Sequence, residues 1–132
     1  MENVLIRDIK LEKNIDFIRT KELETNDLDR YRDFSLITTS RAGENEYKIY
    51  LINKDNDFRD NNLNALIIDG VGIRSNLKVM PIIMNFLLLN KIYIKDIFIN
   101  ETKLSFYVET ISDADIINKL RDTLIKEGFD VE

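Results

Sequence analysis

Asp69-Gly-Val-Gly-Ile-Arg-Ser75, an apolar run from Val79 to Leu89, and then Ile92-Tyr-Ile-Lys-Asp-Ile-Phe-Ile-Asn-Glu-Thr-Lys-Leu-Ser-Phe-Tyr-Val108 form the stretch that decides how this chain folds. Ahead of it, Ala65 to Ile68 is a short apolar segment that reads as a strand. Gly70 and Gly72 permit the positive φ angles that a tight strand-to-helix turn needs. Ser75 or Asn76 then caps a helix whose apolar face runs Val79, Ile83, Phe86 and Leu87. Pro81 belongs within the first turn or so, because deeper in a helix its missing N–H and its ring would cost about 3 kcal/mol. That sets the helix start near Asn76 to Lys78.

Beyond the helix, Ile92 to Ile99 is rich in β-branched and aromatic residues, yet Ile92 and Ile94 fall on the opposite phase of a two-residue period from Ile97 and Ile99. A bulge near Lys95-Asp96, or burial on both faces, reconciles the two phases. Leu104, Phe106 and Val108 alternate with Ser105, Tyr107 and Glu109, the pattern of a strand with one face in the core. Ser112 with Asp115 makes a capping-box-like start to a second helix, whose buried stripe is Ile116, Leu120 and Leu124 and which ends at Gly128. The half reads strand, helix, strand, strand, helix.

This order resembles the second ACT unit in the regulatory region of aspartokinases. The likeness is carried by the Gly70-Val71-Gly72-Ile73 turn, Ser75 ahead of the helix, the strand opening Ile92-Tyr93-Ile94, the turn Asn100-Glu101 and the alternating Leu104-Ser105-Phe106-Tyr107-Val108. It covers about a third of the chain well and the remainder faintly, and such a match needs strands and helices in the right places to support it. The resemblance implies an α+β protein of two ferredoxin-like (βαββαβ) units, 1–62 and 63–132, interleaved, with antiparallel sheets and helices on one face. It also implies an amino-acid effector, a homodimer, a separate catalytic partner subunit and no chemistry within the chain itself.

In the first half, Val4 to Leu11 and Ile15 to Arg19 read as strands split by a turn at Glu12-Lys-Asn14. Asn26 or Asp27 caps a short helix through Phe34, Leu36 to Thr39 reads as a strand, and Tyr47 to Ile52 alternates after a turn around Gly43. The polar run Asn53 to Asn62 holds one apolar residue, Phe58, and joins the halves as a linker or long turn.

With 132 residues, 44% hydrophobic and 33% charged, the chain is large and apolar enough for one compact domain or two small units sharing a core. Its formal net charge of -5 repels polyanions unless basic residues cluster, and Arg7, Lys10, Lys13, Arg19 and Lys21 instead alternate with Asp8, Glu12, Asp16 and Glu22. Nucleic acid is therefore not an expected partner. The absence of Cys rules out disulfides, thiolate nucleophiles and Cys-ligated zinc, and the absence of His removes the commonest general base and metal ligand. No cofactor and no catalytic constellation are expected. The start at Met1 has no basic region followed by an apolar run, and Val79 to Leu89 is too short to cross a bilayer, so a cytoplasmic protein without a membrane partner is the expectation.

The resemblance places an effector at the loop Arg74-Ser75-Asn76-Leu77-Lys78, where backbone N–H groups at a helix start receive a carboxylate. Lys78 stands where amino-acid-binding relatives usually have glycine; its ammonium is either a carboxylate partner or an ordinary solvated first-turn lysine. Lys91 likewise replaces a glycine. The equivalent loop of the first half, Lys21 to Asp27, offers acidic residues for an ammonium group, with Asn26 and Asp27 doubling as helix caps. Gly70-Val71-Gly72 lacks the third glycine of a dinucleotide site, and Asp55, Asp57, Asp60 and Asn62 lack the glycine and closing glutamate of a calcium loop. Asp113 and Asp115 are too exposed at a helix start to work as an acid and base pair.

Overall fold

The computed structural model describes residues 4–20, 31–41, 44–53, 63–73, 78–109 and 111–132. Its elements are β1 (Leu5–Thr20), β2 (Tyr31–Arg41), β3 (Glu44–Asn53), β4 (Leu63–Val71), α1 (Val79–Leu89), β5 (Ile94–Ile99), β6 (Lys103–Glu109), α2 (Ile116–Lys126) and β7 (Asp130–Val131). Two units divide the chain: Met1–Glu12 with Asn64–Glu132, and Lys13–Leu63. Strand β1 contributes its first part to one and its second part to the other.

The larger unit is a five-stranded sheet in the order β7-β1-β4-β6-β5 with two helices. The expected strand, helix, strand, strand, helix succession is present, and α2 leads into the added strand β7. The sheet is mixed, where a wholly antiparallel one was expected: β5 and β6 are antiparallel, whereas β7 runs parallel to β1 through Leu5↔Asp130 and Ile6↔Val131. The reason is topological, since β1 stands between β4 and β7 and the closing strand pairs with β1 instead of β4.

One face of this sheet carries the core. Ile6 of β1, Leu66 and Ile68 of β4, and Leu104, Phe106 and Val108 of β6 cluster with Val79, Ile83, Phe86 and Leu87 of α1 and with Ile116, Leu120 and Leu124 of α2. Both helices therefore lie on the same face. Burying each such large side chain contributes roughly 1.5–3 kcal/mol.

The buried residues of α1 are the four that helical spacing selects, and the helix starts one residue after the expected window. Pro81 is its third residue, where a backbone N–H would have no intrahelical partner anyway. The cap position is Lys78, not Ser75 or Asn76, and it makes no side-chain capping hydrogen bond. The expected bulge is also present: the β5/β6 register shifts between Ile94 and Asp96, which lets Ile92, Ile94, Ile97 and Ile99 all pack against the core.

Strand β6 departs from the one-sided pattern, because Ser105 and Tyr107 are buried along with Leu104, Phe106 and Val108. An interior strand between β4 and β5 has no solvent-facing edge, and here both of its faces are buried. At the start of α2, the N-cap is Asp115 rather than Ser112. No side chain caps the helix; Asp113, just ahead of it, accepts the Asp115 N–H on its Oδ1 at 2.9 Å and Lys119 Nζ on its Oδ2 at 2.6 Å.

Both helices end in the same backbone device, in which the first residue past the C-cap donates to the third carbonyl before it and the next residue donates to the fifth. In α2 these bonds are Gly128 N–H to Ile125 O (3.0 Å) and Phe129 N–H to Leu124 O (3.1 Å), with Gly128 at φ 94°. In α1 they are Lys91 N–H to Leu88 O (3.0 Å) and Ile92 N–H to Leu87 O (2.9 Å), and the left-handed residue at φ 59° is Lys91. A side chain there is strained, so Lys91→Gly is expected to stabilise the protein by up to about 1 kcal/mol, read as a higher urea midpoint at unchanged slope. A lower midpoint would show that the lysine side chain contributes more than the strain costs.

In the smaller unit the described strands run β2-β3-β1, all antiparallel, with Ile15↔Ile52 to Thr20↔Tyr47 joining β1 to β3. Phe17 and Tyr50 face each other with ring centroids 4.9 Å apart. Two expectations fail here. Residues 12–14 are not a turn, because Ile9, Leu11, Ile15 and Phe17 keep one two-residue phase through them and no Gly or Pro breaks it. Tyr31 to Phe34 is not the end of a helix but the start of β2, paired as Tyr31↔Asn53, Asp33↔Ile52 and Phe34↔Leu51. Tyr and Phe favour a strand once a partner offers hydrogen bonds, and Asn26 and Asp27, the supposed caps, lie outside the described residues. The linker residues after Asn53, which itself ends β3, and the turn at Gly43 lie outside them too.

Candidate functional site

The end of the larger unit where β4 stops and α1 begins is built from three pieces. Gly70 donates its N–H to Thr102 O at 2.8 Å, tying the end of β4 to the tip of the β5–β6 hairpin. Asn100 shapes that tip, its Oδ1 accepting from the N–H groups of Thr102 (3.0 Å) and Lys103 (2.7 Å). Gly72 then takes φ 78°, as the glycine turn requires, and α1 starts at Val79.

Gly70 has a different task from the one its place in the turn suggests. Its φ is not positive; it is glycine because β1 passes so closely that an added Cβ would press into the Leu5 carbonyl oxygen and sit 3.2 Å from Ile6 Cα.

Lys78 is exposed at the helix N-cap, with φ -63° and ψ -27°. The remaining residues of the expected effector loop, Arg74, Ser75, Asn76 and Leu77, lie outside the described residues, as do Asn26 and Asp27 of the other loop. The acidic oxygens of 55–62 lie outside them as well. Asp113 is engaged as the partner of Lys119: the Lys119 hydrogen bond, then the Asp115 N–H, hold its carboxyl below the usual carboxylate range, and the same bond holds the Lys119 ammonium above its usual range. Both groups face solvent, and such a pair adds little stability.

The feature that sequence reasoning missed is the outer side of α1. Val79, Ile83, Phe86 and Leu87 are buried and Met80 and Ile82 pack against the core, but all eleven residues are uncharged and only Asn85 is polar. The surplus faces solvent: Leu88 is 73% exposed, Leu89 74%, Met84 39%, and Tyr93 just beyond the helix 76%. Beside them a groove of about 410 Å³ runs between the helices, lined by Pro81, Ile82, Asn85, Phe86 and Leu89 of α1 with Thr123 and Glu127 of the α2 end. The signal was present in the composition, because a helix apolar all round is one that expects burial all round.

Among the described residues no group of three or more acidic side chains is placed to hold a metal ion, and no helix is long and apolar enough to cross a membrane. The sequence matches no family model and no curated protein.

Proposed function

We propose that this chain is a non-catalytic regulatory module of the ACT type, built of two interleaved ferredoxin-like units, that binds a small amino acid at the start of α1 and acts in the cytoplasm on a separate catalytic subunit. The observation that carries the reading is the succession β4, glycine turn, α1, bulged β5, β6, α2, β7, with Gly72 in the left-handed region ahead of the helix. Backbone donors at a helix start and the positive end of its dipole suit a carboxylate, and Lys78 brings a full positive charge to the same end. The lack of His and Cys throughout the chain supports a role without chemistry.

A thermal-shift panel of the common amino acids tests this reading. A ligand present at 100 times its dissociation constant is expected to stabilise the fold by about 2.7 kcal/mol. Lys78→Gly then strengthens binding if the lysine obstructs the approach to the backbone, and weakens it if the ammonium holds the carboxylate. Silence across the panel, in both forms and by titration calorimetry, ends the effector reading.

The exposed apolar side of α1 favours a second reading, an association scaffold with the same fold that binds no effector. Solvent-facing leucines at this density contribute nothing to a lone chain and are costly to leave wet.

A further inference from the structure

We propose that the groove between α1 and α2 binds a small primary amine with an apolar body, its ammonium group held by Glu127, Thr123 and Asn85. This goes beyond the effector reading: the site is a groove along the helices rather than the turn ahead of α1, and the ligand has no carboxylate.

The groove has an apolar wall supplied by Pro81, Ile82 and Phe86 of α1. Its volume of about 410 Å³ lies in the range of sites that enclose a whole small ligand, and an apolar lining with a few polar groups is how such sites are made. The polar groups decide which ligand fits. Glu127 is the one charged residue among those lining the groove, and a carboxylate only accepts hydrogen bonds. Thr123 has its hydroxyl hydrogen committed to Lys119 O at 2.9 Å, so toward a ligand it too only accepts. Asn85 adds a carbonyl oxygen, and neither its side chain nor that of Glu127 has a hydrogen-bond or ion-pair partner among the described residues. Three acceptors therefore stand beside the apolar wall, with the Asn85 amide as the one donor among them. An alkylammonium group carries three N–H donors and no acceptor, the complement of that set.

The field at this end of the groove has the matching sign. Glu127 is the C-cap of α2, where the helix dipole presents its negative end. A carboxylate there opposes the helix, so the helix does not account for it, whereas a cation in the groove does. Lys126, the basic residue of the same turn, is not among the lining residues. An acid, or an amino acid with its carboxylate close to its ammonium, brings a second anion next to Glu127 and is disfavoured.

The test titrates the full, isotope-labelled chain with phenethylamine, hydrocinnamic acid and phenethyl alcohol, which share a ring and differ in the polar group, and with isopentylamine as an aliphatic amine. Both amines are expected to shift the amide signals of the groove residues, and phenethylamine to bind about 10-fold more tightly than the acid or the alcohol, the worth of one hydrogen bond to a charged group. Glu127→Gln is expected to weaken the amine about 10-fold for the same reason. The variant should keep or raise its urea midpoint, because Glu127 is exposed and sits at the wrong end of the dipole. Asp122→Asn removes the same charge from an exposed position of α2 that does not line the groove, and should change binding less than about 2-fold.

Equal binding of amine, acid and alcohol overturns the proposal and leaves the groove a merely apolar cleft. Equal losses in Glu127→Gln and Asp122→Asn reduce the attraction to net charge and overturn it as well. Silence from both amines at millimolar concentration, or shifts confined to the turn ahead of α1, ends the groove site. None of these outcomes touches the effector reading, which the amino-acid panel tests at the other site.

Discussion

Replacing Phe106 with alanine is expected to cost about 3–5 kcal/mol, the range for emptying an aromatic site in a close-packed core. Phe106 is fully buried at the centre of β6, pairs with Ile97 of β5 across the antiparallel ladder, and faces the cluster formed with both helices. Strand β6 lies between β4 and β5, so the void has backbone on two sides and cannot be closed by one strand moving inward. For a chain of this size the melting temperature should fall by roughly 10–20 °C. Tyr93→Ala is the matched control, an aromatic removed from an exposed position, and should change stability by less than about 0.5 kcal/mol. A loss below about 1 kcal/mol for Phe106→Ala, measured by urea unfolding with an unchanged slope, would contradict the core described above.

Gly70→Ala is expected to be the costliest small substitution in the protein, at about 2–4 kcal/mol, although glycine to alanine at an unstrained position usually stabilises by about 0.4–1 kcal/mol. The sign reverses because the new Cβ meets backbone. It would press on the Leu5 carbonyl oxygen, with Ile6 Cα and Ile73 Cδ1 each 3.2 Å away. Strand β1 cannot retreat cheaply, since Ile6 is fully buried and its carbonyl accepts the Glu132 N–H at 2.8 Å. Gly70 cannot retreat either without breaking its bond to Thr102 O. Gly128→Ala separates this clash from simple backbone strain: at φ 94° with nothing near its Cβ position, it should cost only about 1 kcal/mol. If the two variants unfold at the same urea concentration, close approach of β1 is not what requires glycine at position 70.

The candidate effector loop was legible only as a pattern. Glycines, Ser75 and Lys78 mark a strand-to-helix turn in the sequence, but whether N–H groups converge on one point is decided by the packing of neighbouring elements. The surface on α1 was legible in principle, since the run Val79 to Leu89 has more apolar residues than one buried face uses.

What the sequence determined by itself is the succession of elements from Ala65 to Gly128 within the larger unit. Its helices repeat near 3.6 residues, its strands repeat at two, and the phase slip between Ile94 and Ile97 demands a bulge, all of which are local properties of the chain. Tertiary structure alone decided the rest. Strand β2 takes residues 31–34 because β3 offers a ladder there. Ser105 and Tyr107 are buried along with Leu104, Phe106 and Val108, although their alternation reads as one-sided, and Gly70 is glycine because residues 5 and 6, more than sixty positions away in sequence, lie against it. A hydrophobic period records which face of an element is apolar; which segment lies beside it is a long-range contact that no local period records.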